Sequence, residues 1–170
     1  ELYIAMPLLE GRSARGELAS LRRCGLEARA AASYDILLPA LLNLCDTLQH
    51  VHQQGVLHCD LKPSNVFLPR PGSARCGRGL LLDWGVSVMR ERGRVVSQGE
   101  GGRPGGTPGY MSPEQIVRRV ADLDPRSDVY GLGALLYEFL TWRPAIRRGS
   151  PERMFHETLL GALLPPEHWR

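Results

Sequence analysis

The chain has 170 residues, of which 43% are hydrophobic and 23% are charged, and its formal net charge is +3. This length and composition predict one globular unit with a single sizeable core. The weak positive charge gives no argument for a nucleic-acid partner, and the sequence has neither a long apolar run nor an apolar leader, so no membrane segment and a cytoplasmic location are expected.

The first half of the sequence predicts a strand and two helices. Residues 2–7 form a short apolar run that ends at a proline, which is typical of a strand followed by a connector. Residues 17–23 predict a short helix. From residue 33 to residue 54 the apolar side chains recur every three or four positions, the period of a helix with one buried face, and Gly55 is placed to end it.

The second half predicts short strands, a flexible segment and further helices. Apolar runs at 56–57, 66–68 and 80–82 indicate short strands that carry polar loops. The glycine-rich stretch 86–107 has little periodicity, so we expect it to be mobile. Helices are predicted at 113–117, 129–142 and 151–164. The second of these is apolar around nearly its whole circumference, which predicts a position in the middle of the core.

The loop 58–65 combines residue types that suit phosphoryl transfer. Asp60 offers a carboxylate that can orient and deprotonate a hydroxyl, Lys62 offers a cation, and Asn65 offers an oxygen ligand for Mg²⁺. Lys62 is also the one lysine among 21 basic residues, in a chain that otherwise uses arginine. A polar turn capped by Asp and Asn is the alternative interpretation of this loop taken alone.

A second carboxylate follows the apolar run at 80–82. Asp83 precedes an aromatic residue, Trp84, and a possible hinge at Gly85. A carboxylate in this place can supply a further hard oxygen to Mg²⁺, although an Asp after a strand is also a common turn signal.

The order of these motifs resembles that of the protein kinase family over essentially the whole chain. Residues 58–65 resemble the pattern H-R-D-x-x-x-x-N, residues 83–85 resemble D-F-G, and residues 112–114 resemble A-P-E. Residues 106–115 are similar to the end of the activation segment of bacterial-type Ser/Thr kinases. Residues 128–133 resemble the start of that family's central buried helix.

The resemblance implies a mainly α fold with short β-strands (α+β), namely a kinase-like C-terminal lobe. The whole of 1–170 would then be a partial kinase domain, with the N-terminal lobe and the last C-lobe helices absent from the chain. It implies ATP and Mg²⁺ as cofactors and Ser or Thr hydroxyls of protein substrates as acceptors. Since position 1 is not Met, we expect the chain to begin inside a longer polypeptide, and the isolated piece to be weakly active or inactive.

The resemblance also implies roles for individual residues of the catalytic centre. Asp60 would act as the base, and Lys62 would meet the γ-phosphate. Asn65 and Asp83 would hold Mg²⁺. Thr107 would bridge Asp60 and Lys62 and so close the platform for the acceptor hydroxyl.

Three further positions follow from the same resemblance. Met6 would lie in the hinge whose backbone meets adenine. Phe67 would lie beneath the adenine ring, with a plain core position as the equal alternative. Asp128 would tie down the backbone of the catalytic loop.

The sequence departs from the family pattern at two positions. Cys59 stands where an arginine is usual, and that arginine would pair with a phosphate on the activation segment. We therefore expect an active state that does not depend on phosphorylation of Ser97 or Thr107. Trp84 replaces a phenylalanine but keeps an apolar aromatic ring. Glu114 is expected to be unpaired, because the arginine that is its partner in the family would lie on a later helix.

Three alternatives remain at this point. The chain could be a pseudokinase that serves as a docking module, although Asp60, Lys62, Asn65 and Asp83 are all present. It could be a small-molecule phosphotransferase with a kinase-like fold. It could also hold zinc through some of the histidines and cysteines, which are Cys45, His50, His52, His58 and Cys59.

Overall fold

The computed structural model describes residues 8–73, 77–91, 94–98, 105–117, 123–163 and 165–169. The helices are α1 (Ala14–Leu21), α2 (Leu26–Ala32), α3 (Leu38–Gln53), α4 (Pro113–Ile116), α5 (Pro125–Thr141) and α6 (Pro151–Leu159). A π-helical turn, Ser33–Leu37, precedes α3, and a 3₁₀ turn, Pro166–Trp169, follows α6. The strands are β1 (Gly11–Ser13), β2 (Val56–Leu57), β3 (Val66–Pro69), β4 (Leu80–Leu81), β5 (Val88–Glu91) and β6 (Arg94–Gln98).

The strands form two small antiparallel sheets, one on each side of the polar loop 58–65. The first sheet has the order β1-β3-β4, and Phe67 of its middle strand pairs with Ser13 and with Leu80. The second has the order β2-β5-β6, with Leu57 opposite Val88. Since β2 and β3 belong to different sheets, the loop between them is held at both ends.

The main core lies between α3 and α5. Leu44 and Leu48 of α3 and Leu135 and Phe139 of α5 are almost completely buried in one apolar cluster. Two of these residues are four positions apart on each helix, so each pair lies on one face. The predicted amphipathic helix is confirmed, although its first turn is π-helical, which leaves Ile36 37% exposed.

Helix α5 differs from the expectation of burial on every side. Its inner face is buried, but Val129, Leu136 and Leu140 on the opposite face are 58%, 39% and 46% exposed. These three residues are seven and four positions apart, so they share one face of the helix. At Gly131 the inner face of α5 approaches the loop 58–65 closely. A Cβ atom at this position would lie 2.9 Å from Leu61 Cβ.

Part of the glycine-rich stretch forms regular structure that the sequence analysis did not predict. Within it, β5 and β6 form a hairpin whose strand β5 pairs with β2. The first strand of this hairpin is held in place by Val88, because its side chain is buried against Leu57 and Leu123. Residues 99–104 lie outside the described residues.

Other predictions of elements had mixed outcomes. The helix predicted at 17–23 is α1, shifted towards the N-terminus, while α2 was not predicted. The helix predicted at 151–164 ends at Leu159, and Gly161 follows with a φ of 63°, the left-handed conformation that commonly closes a helix. The strand predicted at 2–7 lies outside the described residues. No helix in the described part of the chain combines the length and apolar character needed to cross a membrane.

Candidate active site

Three side chains meet on one side of the loop 58–65. Thr107 Oγ1 donates a hydrogen bond to Asp60 Oδ1 over 2.7 Å and accepts one from Lys62 Nζ over 3.0 Å. Lys62 Nζ also lies 2.5 Å from Asp60 Oδ2. The structure thus brings together Asp60, Lys62 and Thr107, although 47 residues separate the first from the last.

The Asp60 carboxylate is held in one orientation from several directions. It is only 7% exposed, and both of its oxygens accept hydrogen bonds. Asn65 Nδ2 donates to the Asp60 carbonyl over 2.9 Å and to Asp60 Oδ2 over 3.1 Å. Hydrogen bonds to a carboxylate are stronger than those between neutral groups, so these bonds hold the Asp60 side chain in one orientation.

Asp128 anchors the backbone of the same loop from helix α5. Its carboxylate accepts hydrogen bonds from the backbone N–H groups of His58 over 2.9 Å and of Cys59 over 2.8 Å. His52 Nε2 lies 2.7 Å from the same carboxylate. Asp128 is 1% exposed, and an unpaired buried N–H is costly, so these bonds fix the path of the chain before Asp60.

His58 links this loop to the strand that carries the second carboxylate. The ring is fully buried, its Nε2 lies 3.0 Å from the Leu82 carbonyl, and its Nδ1 accepts from the Asp60 backbone N–H over 3.2 Å. A ring that accepts at Nδ1 and donates at Nε2 is neutral. Consistently, burial lowers the pKa of His58.

The aromatic residue after the second carboxylate packs on His58. The rings of Trp84 and His58 meet edge to face with centroids 4.6 Å apart. The indole Nε1 of Trp84 donates to the Leu81 carbonyl over 3.3 Å. The polar atom that distinguishes Trp84 from a phenylalanine is therefore satisfied.

Asp83 is exposed and follows β4 in an unusual backbone conformation. Its φ is 63°, which side-chain-bearing residues rarely adopt, and the preceding Leu82 N–H donates to the Asn65 carbonyl over 2.8 Å. This bond brings the backbone of residues 82–83 beside that of Asn65.

Asn65 and Asp83 have the donor chemistry that fits Mg²⁺. Both amide hydrogens of the Asn65 side chain point to Asp60, which leaves the side-chain oxygen Oδ1 available to a cation, and Asp83 adds a carboxylate. Mg²⁺ is usually bound by one or two such oxygens together with phosphates and water. In the described ranges, no group of three or more His, Cys, Asp or Glu could hold a metal ion.

The residues considered for zinc have other surroundings. His50 Nε2 lies 2.8 Å from Gln54 Nε2, and His52 is bonded to Asp128. Cys45 is exposed on α3, whereas Cys59 is buried.

Cys59 fills an apolar site instead of reaching the surface. Its side chain is 4% exposed and packs with Leu57, Val88 and Leu123. Burial, reinforced by the negative charge of Asp128, raises the pKa of the thiol well above its usual range. Like Asp83, Cys59 has a positive φ, at 64°, so the loop carries backbone strain on both sides of the site.

Gln115 connects this loop to the segment that carries Thr107, a role that the sequence analysis missed. Its Nε2 donates to the Cys59 carbonyl over 2.6 Å and to the Gly105 carbonyl over 3.1 Å. Its Oε1 accepts from the backbone N–H of Ser112, which completes a capping box for α4. The capping pattern Ser-x-x-Gln is visible in the sequence, but the bonds across the chain are not.

Two more hydrogen-bonded pairs hold residues 107–114 against α5. Tyr110 Oη donates to Glu138 Oε2 over 2.5 Å, and burial together with the Glu138 charge raises the pKa of Tyr110. Ser127 Oγ donates to Glu114 Oε1, also over 2.5 Å. The expectation that Glu114 lacks a partner is therefore wrong, because a neighbouring hydroxyl takes the place of an arginine.

The residues assigned to adenine are only partly placed. Met6 lies outside the described residues. Phe67 is half-buried in β3, and its ring lies against β1, where a side chain at Gly11 would come within 2.8 Å of Phe67 Cε1. The position of Phe67 is compatible with both interpretations of this residue.

Comparisons with known proteins agree with this geometry. The family model for the protein kinase domain matches residues 1–163, and it does not divide the chain into lobes. The chain is 38% identical over 128 residues to serine/threonine-protein kinase pkn2 of Myxococcus xanthus, which covers 75% of the chain and 15% of that relative. It is 29% identical over 178 residues to serine/threonine-protein kinase PknD of Chlamydia muridarum, covering 92% of the chain and 18% of the relative.

A third relative extends the match over almost the whole chain. A probable serine/threonine-protein kinase of Corynebacterium efficiens is 31% identical over 170 residues, which covers 98% of the chain and 23% of that protein. The chain thus spans less than a quarter of the length of each of these three bacterial relatives.

Proposed function

The chain belongs to the protein kinase family. On that premise we propose that it carries the catalytic loop, residues 58–65, and the substrate platform, residues 107–114, of a Ser/Thr protein kinase. The reaction is transfer of the γ-phosphoryl group of ATP to a seryl or threonyl hydroxyl of a protein substrate. The observation that carries the proposal is the hydrogen-bonded set of Asp60, Lys62 and Thr107. We further propose that the chain corresponds to the C-terminal lobe, because the catalytic loop, platform and central helix α5 all lie in it.

Asp60 has the geometry of a base for the acceptor hydroxyl. Its carboxylate accepts the proton as the hydroxyl oxygen forms a bond to the γ-phosphorus, and the bond from that phosphorus to the β–γ bridging oxygen breaks, which releases ADP. Thr107 holds one oxygen of the carboxylate and so sets its direction. Lys62 places a positive charge where the transferred group becomes more negative.

Asn65 and Asp83 are the residues that would hold Mg²⁺. The metal supplies neutralisation of phosphate charge during the transfer. Asn65 is suited to this because its bonds to Asp60 fix the side chain, which leaves little freedom to lose on binding.

Phosphate transfer by the full-length protein tests the proposal. With Mg·ATP and a mixed Ser/Thr protein substrate, wild type should produce phosphoserine and phosphothreonine, while Asp60→Asn should lose roughly 10²-fold or more of the rate. Asp124→Asn is the matched control, because it makes the same change at the N-cap of α5, where the side chain bonds to Arg126 and not to Asp60, Lys62 or Thr107. It should keep the wild-type rate.

The docking-module alternative makes the opposite prediction for the same proteins. If wild type neither transfers phosphate nor binds Mg·ATP in a calorimetric titration, the kinase proposal is wrong. A wild type that transfers phosphate at the same rate as Asp60→Asn would refute the role of Asp60 while leaving the reaction in place.

A further inference from the structure

A cavity opens directly beside Lys62 and Thr107. Its volume is about 440 Å³, and it lies between α1, the segment 107–110, the segment 144–149 and α6. Its apolar wall includes Leu18, Ile146 and Met154. A chain segment whose hydroxyl reaches Asp60 would pass over this cavity, so its lining can select what flanks the acceptor.

The charged lining of this cavity is predominantly basic. Arg15, Arg22, Lys62 and Arg148 line it, and among the described lining residues Glu138 is the one acidic side chain. Lys62 is paired with Asp60, so the three arginines and Glu138 leave a local excess of +2 at this cavity.

The single acidic residue is already engaged inside the protein. Glu138 is 1% exposed and accepts the hydrogen bond from Tyr110, whose raised pKa keeps that hydroxyl protonated. Arg22 Nη2 lies 3.9 Å from the other oxygen of Glu138. The Glu138 charge is therefore turned inward and partly compensated, and it offers little attraction to a basic ligand.

Arg15 and Arg148 are the cations best placed to meet a ligand. Both are exposed, both act electrostatically on Tyr110, and neither forms an ion pair with a carboxylate of the described residues. The backbone N–H of Arg15 donates to the Pro63 carbonyl over 3.0 Å, which fixes its place beside Lys62.

We propose that this cavity selects protein substrates that carry acidic residues beside the acceptor Ser or Thr, with Arg15 and Arg148 as the residues that determine the preference. This inference rests on the proposed kinase function and adds a substrate class to it. Charge complementarity supports it, since an acidic segment would meet two exposed arginines and, within the described part of the lining, no exposed carboxylate.

Peptide binding tests the preference without depending on phosphate transfer. The probe is a short fluorescein-labelled peptide with alanine at the acceptor position and glutamates on both sides, and its counterpart has lysines at the same positions. Fluorescence anisotropy with the full-length protein should show tighter binding of the acidic peptide, and added salt should weaken it.

Charge reversal then identifies the residues. Arg15→Glu combined with Arg148→Glu should weaken binding of the acidic peptide about 10-fold or more. Arg78→Glu combined with Arg147→Glu has the same net charge and changes exposed residues outside the cavity lining, so it should bind nearly as wild type.

The outcomes separate this inference from the function on which it rests. Equal binding of both peptides, or equal loss in both double variants, would overturn the acidic preference even if wild type transfers phosphate. A preference for the acidic peptide that disappears only in the cavity variant supports it. Absence of phosphate transfer in the Asp60 experiment would instead reject the kinase proposal.

Discussion

Replacing Asp128 by asparagine should destabilise the protein strongly, although only one oxygen of the carboxylate is exchanged for an NH₂ group. The carboxylate accepts from His58 N, Cys59 N and His52 Nε2, with all three distances between 2.7 and 2.9 Å. Asparagine keeps one acceptor oxygen and turns an NH₂ group towards one of these donors. Loss of a charge-assisted bond together with an unsatisfied buried N–H should cost about 2–4 kcal/mol.

The matched control is Asp124→Asn, four residues earlier in the chain. Asp124 caps α5 by accepting from the Arg126 backbone N–H over 2.8 Å, and asparagine caps helices equally well. The lost ion pair with Arg126 lies at the surface, where solvent screens it, so it contributes little to stability. This variant should therefore be nearly as stable as wild type.

Guanidinium unfolding followed by tryptophan fluorescence measures both effects, because Trp142 is buried in the main core. A total stability of roughly 5–15 kcal/mol leaves room to resolve the difference. If Asp128→Asn and Asp124→Asn unfold at the same denaturant concentration, the anchoring role of Asp128 is refuted.

Two further predictions concern titration and reactivity. Burial lowers the pKa of His58, so the unfolded chain takes up a proton more readily. The neutral, buried His58 ring therefore contributes fully to the free energy of unfolding above pH 6.5, the ordinary pKa of histidine. This contribution is lost as the pH falls from 6.5 towards the lower pKa of His58 in the folded protein. Unfolding free energies measured from pH 7 to pH 5 should decline in wild type and less steeply in His58→Gln, whereas exposed His50→Gln should follow wild type. Native Cys59 should resist alkylation by iodoacetamide while exposed Cys45 reacts, as mass spectrometry would show, and early modification of Cys59 would contradict its burial.

Local patterns predicted much of the fold. The amphipathic period at 33–54 and the apolar runs at 56–57 and 66–68 are confirmed as helix and strands, and the run at 80–82 as the shorter strand β4. The buried side chains of Leu44, Leu57 and Val66 show why these patterns were informative. The hairpin β5–β6 was not predicted, since Val88 is ordered by contacts with Leu57 and Leu123, which are distant in the sequence.

The candidate site was predicted through motifs, and its supporting bonds were not. The resemblance to kinases placed Thr107 between Asp60 and Lys62, and the observed distances agree with that placement. The bonds that Gln115 makes to two separate loops depend on tertiary geometry that no spacing in the sequence encodes. The same holds for Ser127 as the partner of Glu114.

The backbone conformation at Asp83 favours a different residue for stability than for the proposed chemistry. A glycine would adopt a φ of 63° without steric cost, and Asp83 is exposed, so little packing would be lost by the exchange. Selection for thermal stability alone, in a library free to vary this position, should therefore enrich glycine, and selection for phosphate transfer should restore aspartate. An aspartate in this strained conformation is therefore expected of a chain in which Asp83 holds Mg²⁺, as proposed above.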